Sequence, residues 1–396
     1  MFNNPTVFIL GAGASWHYGY PTGEDLVKNV IQKAHAAGAY FRTTLNSDGG
    51  LVHRPNYITR HSADPLPNGT TGMKAEWSQA VQECEDLIDR LTAVDPLVID
   101  YFLGQNQHWG EIGRFLIAWV LLECEAIFRL NGTNINRRGH MTPYFDNWCR
   151  FLIHKLVTGC RDGESLLSNK VTFTTFNYDV SLESQLFKGL SKLAQFSTGD
   201  ILTRFFGDNR FLHIYGKIRE DALADPPAAN FDLFGGISGP RPQPGPPEVW
   251  TATKTLFDAI YEASKTIRII APHEKTIDPT VEVSRRAIGE ASCIYILGYG
   301  FDPYNSELLE LPRHLELEKT HKTVMFTNFR NRNVINKNAS RVFFWHRDKI
   351  LSNMPDVIGN ETDGYLCERS IRNVYDALAD DFDSPEEHLL STSPIT

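Results

Sequence analysis

The stretch Val7-Phe8-Ile9-Leu10-Gly11-Ala12-Gly13-Ala14-Ser15 decides the fold. Four apolar residues in unbroken succession read as a strand buried on both faces, the kind found in parallel sheets. Gly11 and Gly13 then let the backbone approach a ligand with no β-carbon in the way. The amides that follow open a helix, and unpaired amides at a positive helix end are a seat for a pyrophosphate. Strand and Gly-x-Gly turns also occur in α/β proteins that bind no dinucleotide, so the turn alone leaves both readings open.

Strand character returns at 171–176, 211–215, 267–271, 293–297, 323–327 and 341–345, with helical patterns at 248–264 and 281–291 between some of them. Apolar strands alternating with helices predict an α/β, Rossmann-like fold: a mainly parallel sheet with helices on both faces, binding ligands at the carboxyl ends of its strands. Pro21-Thr22-Gly23-Glu24-Asp25 reads as a helix start with Thr22 as N-cap. From about 42 to 72 the period is lost among Asn, Gly, Pro, His and Thr, as in an exposed loop. Three helical patterns follow at 77–91, 112–130 and 144–157, with Trp, Leu and Phe at core-packing spacing. The expected organisation is one domain over 1–380, with a loop and helical insertion at 42–165 and a Pro/Gly-rich loop at 223–247. Residues 381–396 read as a flexible polar tail.

With 396 residues, 42% of them hydrophobic and 22% charged, the composition is that of an ordinary globular protein with a large core. A net charge of -9 argues against nucleic-acid binding over the whole surface, and direct binding is not indicated. The six cysteines form no CxxC pair, so neither a zinc ribbon nor a disulfide framework is expected, which fits a reducing cytoplasm. No secretory signal is read before the first strand, and a cytoplasmic location is expected. The most apolar run, 115–128, contains Glu123 and Glu125 and is too short to cross a bilayer.

Chemistry-bearing residues stand at the strand ends: Asn177-Tyr178-Asp179, His213 with Tyr215-Gly216, Gly298-Tyr299-Gly300-Phe301-Asp302, and Asn328. Taken singly, the first reads as an Asx turn and His213 as a core histidine. Their order, however, resembles the sirtuin family, whose members bind NAD in a Rossmann-like sheet. Gly11 to Ser15 with Gly19-Tyr20-Pro21 resembles that family's Gly-Ala-Gly-x-Ser turn and Gly-x-Pro loop. Asn177-Tyr178-Asp179 is similar to its Asn-Ile-Asp, which lines the nicotinamide and ribose pocket. The segment from Phe211 to Gly216 stands where its His-Gly strand belongs, Gly298-Tyr299-Gly300 resembles its loop near phosphate and ribose, and Asn328 its adenosine-ribose Asn.

Two departures point away from peptide deacylation. No paired CxxC zinc module follows the His-Gly position, and Thr22-Gly23-Glu24 replaces Asp-Phe-Arg. Both turn the resemblance toward the zinc-less sirtuin-like proteins of bacterial antiphage defence. That resemblance implies cleavage of NAD to nicotinamide and ADP-ribose, with NAD as substrate, no metal, and depletion of NAD as the effect. Asn177, Asp179 and His213 are then the expected catalytic residues, and Gly11, Ala12, Gly13, Ser15, Pro21, Thr22, Tyr215, Gly298, Tyr299 and Asn328 the expected NAD contacts. The family's His directly precedes the Gly, where this chain has Tyr215, so whether His213, Tyr215 or both take that part stays open. Related defence proteins form homo-oligomers or act beside a HerA-like ATPase. The competing reading is a non-catalytic sensor or assembly subunit binding NAD or ADP-ribose. A deacylase is disfavoured by the missing zinc module, and a nuclease subunit by the lack of an acidic metal cluster.

Overall fold

The computed structural model describes residues 1–47, 51–61, 69–131, 134–135, 141–142, 147–196, 199–207, 209–219, 247–270, 278–316, 319–344, 356–360 and 365–383. The chain divides into two compact units. One comprises residues 1–20, 133–215 and 274–396, and the other residues 21–132 and 216–273. These boundaries differ from the expected insertion at 42–165, since the second unit takes in the helix opened by Thr22.

The first unit is built on β1 (Thr6–Leu10), all five of whose residues are buried. A small antiparallel pair, β2 (Asn134–Ile135) and β3 (Met141–Thr142), stands apart from the main sheet. That sheet contains β1 with β4 (Val171–Thr175), β5 (Phe211–His213), β6 (Cys293–Leu297), β7 (Thr323–Thr327), β8 (Val357–Asn360) and β9 (Tyr365–Ser370). Their order is β5-β4-β1-β6-β7-β9-β8, and every pairing is parallel except that of β8 with β9. This is the expected α/β, Rossmann-like sheet. Because β4 and β6 flank β1 on opposite sides, the strand order reverses at β1, and a crevice forms outside its carboxyl end.

Register explains much of the sheet's core. Phe8 pairs with Phe173 on one side and Tyr295 on the other, and Phe173 pairs with Phe211. The rings stack at 5.2, 4.8 and 5.0 Å between centroids, forming an aromatic row across four strands. Each ring thus buries its face on a neighbour of the same type at the same height, a cross-strand pairing that fixes register as well as adding stability.

The second unit is helical among its described residues, with helices Gly23–Leu45, Asn56–Thr59, Gly69–Val94, Ile99–Gln105, Gly110–Asn131 and Pro247–Lys265. Phe257 packs edge-on against Tyr40, Phe41, Phe115 and Trp119, so the Trp- and Phe-rich spacing seen in the sequence is core packing. Buried Lys33 is paired with Glu123 at 2.7 Å, which explains how the apolar helix tolerates that carboxylate. Among the described residues no helix is long and apolar enough to cross a membrane.

Three expectations are corrected. Residues 341–345 were expected to form a strand, but helix Asn333–Phe343 occupies most of that stretch, with Ala339, Val342 and Phe343 on its buried face. A short apolar run reads the same in either state, and helical contacts decide it here. Among the described residues 267–270 there is only an isolated bridge between Ile267 and Gly216, because β-branched residues need a partner strand to become one. Residues 42–72 are not one loop, since the helix from Gly23 continues to Leu45 and helices Asn56–Thr59 and Gly69–Val94 fall partly within the stretch. Strands β8 and β9 were not foreseen. The Pro/Gly-rich loop lies almost wholly outside the described residues, as does most of the polar tail.

Candidate functional site

The carboxyl ends of β1, β4 and β5 deliver polar side chains into one small pocket. It is lined by Ser15, Asn177, Asp179, Ser181, Glu183 and His213, with Leu10, Ala14, Trp148, Thr175 and Leu182 completing its walls. Ser15 comes from the turn after β1. Asn177 and Asp179 leave the end of β4, Ser181 and Glu183 open the helix Ser181–Leu190, and His213 ends β5 in register with Thr175. Trp148 is held at the wall by a hydrogen bond from its indole Nε1 to the Ala14 carbonyl, 2.8 Å.

Asn177 is the hub. Its Nδ2 donates to Ser15 Oγ at 2.8 Å and to the Gly11 carbonyl at 3.0 Å, while its backbone N–H donates to Thr175 Oγ1 at 3.0 Å. His213 Nδ1 lies 2.9 Å from the Asn177 carbonyl, and Nε2 lies 2.7 Å from Glu183 Oε1. Asp179 accepts hydrogen bonds from the Ser181 backbone N–H, 3.1 Å, and from the Ser181 hydroxyl. Burial pushes the Asp179 carboxyl above the usual carboxylate range, against the pull of its Ser181 and Ser15 hydrogen bonds and of nearby His213. The lining holds two carboxylates and neither Lys nor Arg, so it favours a cation or a developing positive charge over a phosphate.

The glycine turn differs from the expected cradle of unpaired amides. Gly11 N–H donates to the Leu297 carbonyl at 3.0 Å, Gly13 N–H to the Gly298 carbonyl at 2.9 Å, and Ala14 N–H to the Gly11 carbonyl at 2.9 Å. The helix beginning at Ala12 is only four residues long and passes into a 3-10 turn, Trp16–Tyr18. What Gly11, Gly13 and Gly298 permit is the contact of two backbones. A β-carbon on Gly13 would stand 2.8 Å from the Gly298 Cα, and one on Gly298 would stand 2.2 Å from the Ala14 N.

Other expected contacts lie outside the pocket lining. Tyr215 donates its hydroxyl to Asn305 Oδ1, tying the segment just after β5 to the helix Pro303–Leu308 that follows β6. It packs near Phe176 and Tyr178, and Phe176 stacks on Tyr299 at 5.1 Å between centroids. Tyr299 is engaged in turn with Ser306 at 3.1 Å. The Tyr178 hydroxyl is buried without a hydrogen-bond partner among the described residues. Asn328, fully buried, donates to Asn336 Oδ1 at 2.7 Å and the Arg332 carbonyl at 3.1 Å, and accepts from Arg332 N–H at 2.9 Å. Its amide therefore shapes the turn after β7. Pro21 and Thr22 belong to the helical unit, where the Thr22 hydroxyl donates to Asp25 Oδ2 at 2.8 Å.

Sequence reasoning missed Ser181, Glu183 and Trp148. A readable signal existed for the first two, because Asp179-x-Ser181-x-Glu183 places a turn-forming carboxylate and a first-turn acid at a helix start. Trp148 carried none. No family model, curated protein or solved structure matched the chain. Among the described residues no group of three or more His, Cys, Asp or Glu is placed to hold a metal ion.

Proposed function

We propose that the chain is an NAD glycohydrolase that cleaves NAD to nicotinamide and ADP-ribose and acts in antiphage defence by depleting NAD. The observation that carries this reading is the convergence of Ser15, Asn177, Asp179 and His213, drawn from three strand ends, in one acidic pocket at the point where the strand order reverses. It is supported by the resemblance of the strand-end motifs to zinc-less sirtuin-like defence proteins. Nicotinamide leaves as a neutral pyridine when the bond from its nitrogen to the ribose C1′ breaks. The ribose then becomes oxocarbenium-like and is captured by water, whose proton is released. An acidic pocket stabilises that cation, and the Asn177 amide is suited to orient the ribose and the water. No metal enters this scheme, so turnover is expected to survive a chelator.

A second reading is favoured by one specific observation: both ring nitrogens of His213 are engaged within the protein. On that reading the chain binds NAD or ADP-ribose without cleaving it, as a sensor or assembly subunit. Incubating purified protein with NAD and measuring nicotinamide release separates the two. Release that is lost in Asn177→Ala and His213→Ala supports the hydrolase. NAD or ADP-ribose binding without release in any assembly state supports the second reading. Assembly as a homo-oligomer, or beside a HerA-like ATPase or another defence partner, is part of both readings and is tested by measuring mass in solution with and without the partner.

A further inference from the structure

Glu183, His213 and Asn177 form a relay that ends at Ser15. The Asn177 carbonyl can only accept, so His213 Nδ1, 2.9 Å away, carries a proton. Nε2 then faces Glu183 Oε1 at 2.7 Å, and the bond between them holds one proton, on either the imidazole or the carboxylate. Both side chains are buried, Glu183 4% and His213 6% exposed, which strengthens the hydrogen bond between them. Beyond His213, the Asn177 side-chain amide bridges the Gly11 carbonyl and Ser15 Oγ. The backbone of Asn177 is thus gripped by His213, and its side chain by the turn after β1.

We infer that Glu183 is a positioning residue, fixing the His213 tautomer so that His213 in turn holds Asn177 in place, and that His213 acts through this relay without touching the substrate. With both nitrogens spent, the imidazole has no free lone pair to offer a water in the pocket. Among the described residues, titratable groups close to this relay include Asp179, whose carboxylate acts on His213, Cys149, which feels both Asp179 and Glu183, and Tyr18, which donates to Cys149. Removing Glu183 frees the ring to turn away from the Asn177 carbonyl, which alone would still require the proton on Nδ1, and Asn177 then loses its anchor.

The catalytic side of this inference rests on the NAD-cleaving reading, whereas the tautomer can be read in the free protein. Protein labelled with 15N at histidine and asparagine is examined by NMR, with His213 assigned by the signal lost in His213→Asn. The wild type is expected to show a protonated Nδ1. Glu183→Gln, which keeps a donor facing Nε2, is expected to retain it, and Glu183→Ala to lose it while shifting the Asn177 amide signals. An unprotonated Nδ1 in the wild type, or His213 and Asn177 signals unmoved in Glu183→Ala, overturns the inference. In turnover assays the relay predicts a kcat loss of roughly 10–100-fold in Glu183→Ala with little change in KM, and partial rescue by Gln. A loss confined to KM overturns the role in catalysis. If no variant and no wild type releases nicotinamide, the proposed function fails while the tautomer measurement still decides this one.

Discussion

Asn177 Nδ2 and Ser15 Oγ, from the ends of β4 and β1, meet at 2.8 Å, and the same nitrogen reaches the Gly11 carbonyl at 3.0 Å. One side chain therefore locks the turn after the central strand to the polar end of its neighbour. Asn177→Ala leaves the Gly11 carbonyl and the Ser15 hydroxyl without this donor, at an expected cost of about 1–3 kcal/mol. Nicotinamide release is expected to fall by roughly 100-fold or more, as for other preorganised polar groups. Denaturant unfolding and a release assay on the same sample check both.

Tyr215→Phe removes only the hydroxyl that Asn305 accepts from. A buried Asn305 carbonyl left unpaired is expected to cost about 1–3 kcal/mol, with turnover within a few-fold of wild type. His213→Ala is expected to abolish turnover. Thermal melts and release rates for the pair show which of the two residues takes the part proposed for His213, and the opposite ranking would assign it to Tyr215.

Gly298 has φ of +61° and its missing β-carbon would stand 2.2 Å from the Ala14 N. Gly298→Ala combines an unfavourable backbone region with a contact that only moving one of two backbones relieves. A loss of at least about 2 kcal/mol is expected by denaturant unfolding. Gly300→Ala, where a β-carbon meets nothing within 4 Å, serves as the control and should be close to neutral.

His17 is 4% exposed and its Nδ1 has no hydrogen-bond partner among the described residues. Burial lowers its pKa from 6.5 to about 4. The folded state thus binds the proton less well than the unfolded one, so the stability it contributes is complete above pH 6.5 and is lost as pH falls through about 4. That limb amounts to about 3 kcal/mol. His17→Leu is expected to flatten it in unfolding measurements between pH 7 and 4, and an unchanged acid limb would rule the residue out.

The Tyr178 hydroxyl is buried without a hydrogen-bond partner among the described residues. Tyr178→Phe removes an unsatisfied polar atom and is expected to raise stability by about 1 kcal/mol, read as a shift in melting temperature.

How much of this was legible differs from element to element. The run from Val7 to Leu10 announced a strand buried on both faces because nothing in it is polar, and 293–297 and the apolar centre of 323–327 read the same way. Asn177, Asp179 and His213 were legible as candidates because polar groups at strand ends are where parallel sheets bind ligands. The fate of Gly11 and Gly13 was not, since glycine permits close approach without saying whether a ligand or a second backbone makes it. Only the position of Gly298, nearly three hundred residues along, settles that. The partners of Asn328 were not legible for a similar reason, because Asn336 lies on the helix Asn333–Phe343 and Arg332 caps it, a helix the sequence expectation lacked. Glu183 was overlooked because a first-turn acid is common, and only the fold sets it against His213.

The central place of β1 has a consequence for how the chain comes to be folded in time. Thr6 pairs with Val171 on one side and with Cys293 on the other, so β1 waits on one edge for a strand nearly three hundred residues further along the chain. At ordinary rates of synthesis its second edge stays unpaired for roughly 15 to 60 s after β1 is made. Helices Gly23–Leu45 and Gly69–Val94, which pack on each other, can form well before then. Pairing of β1 on both edges is therefore completed only when the segment just before Gly298 has left the ribosome, and the outer strands β7, β9 and β8 add to the sheet after that.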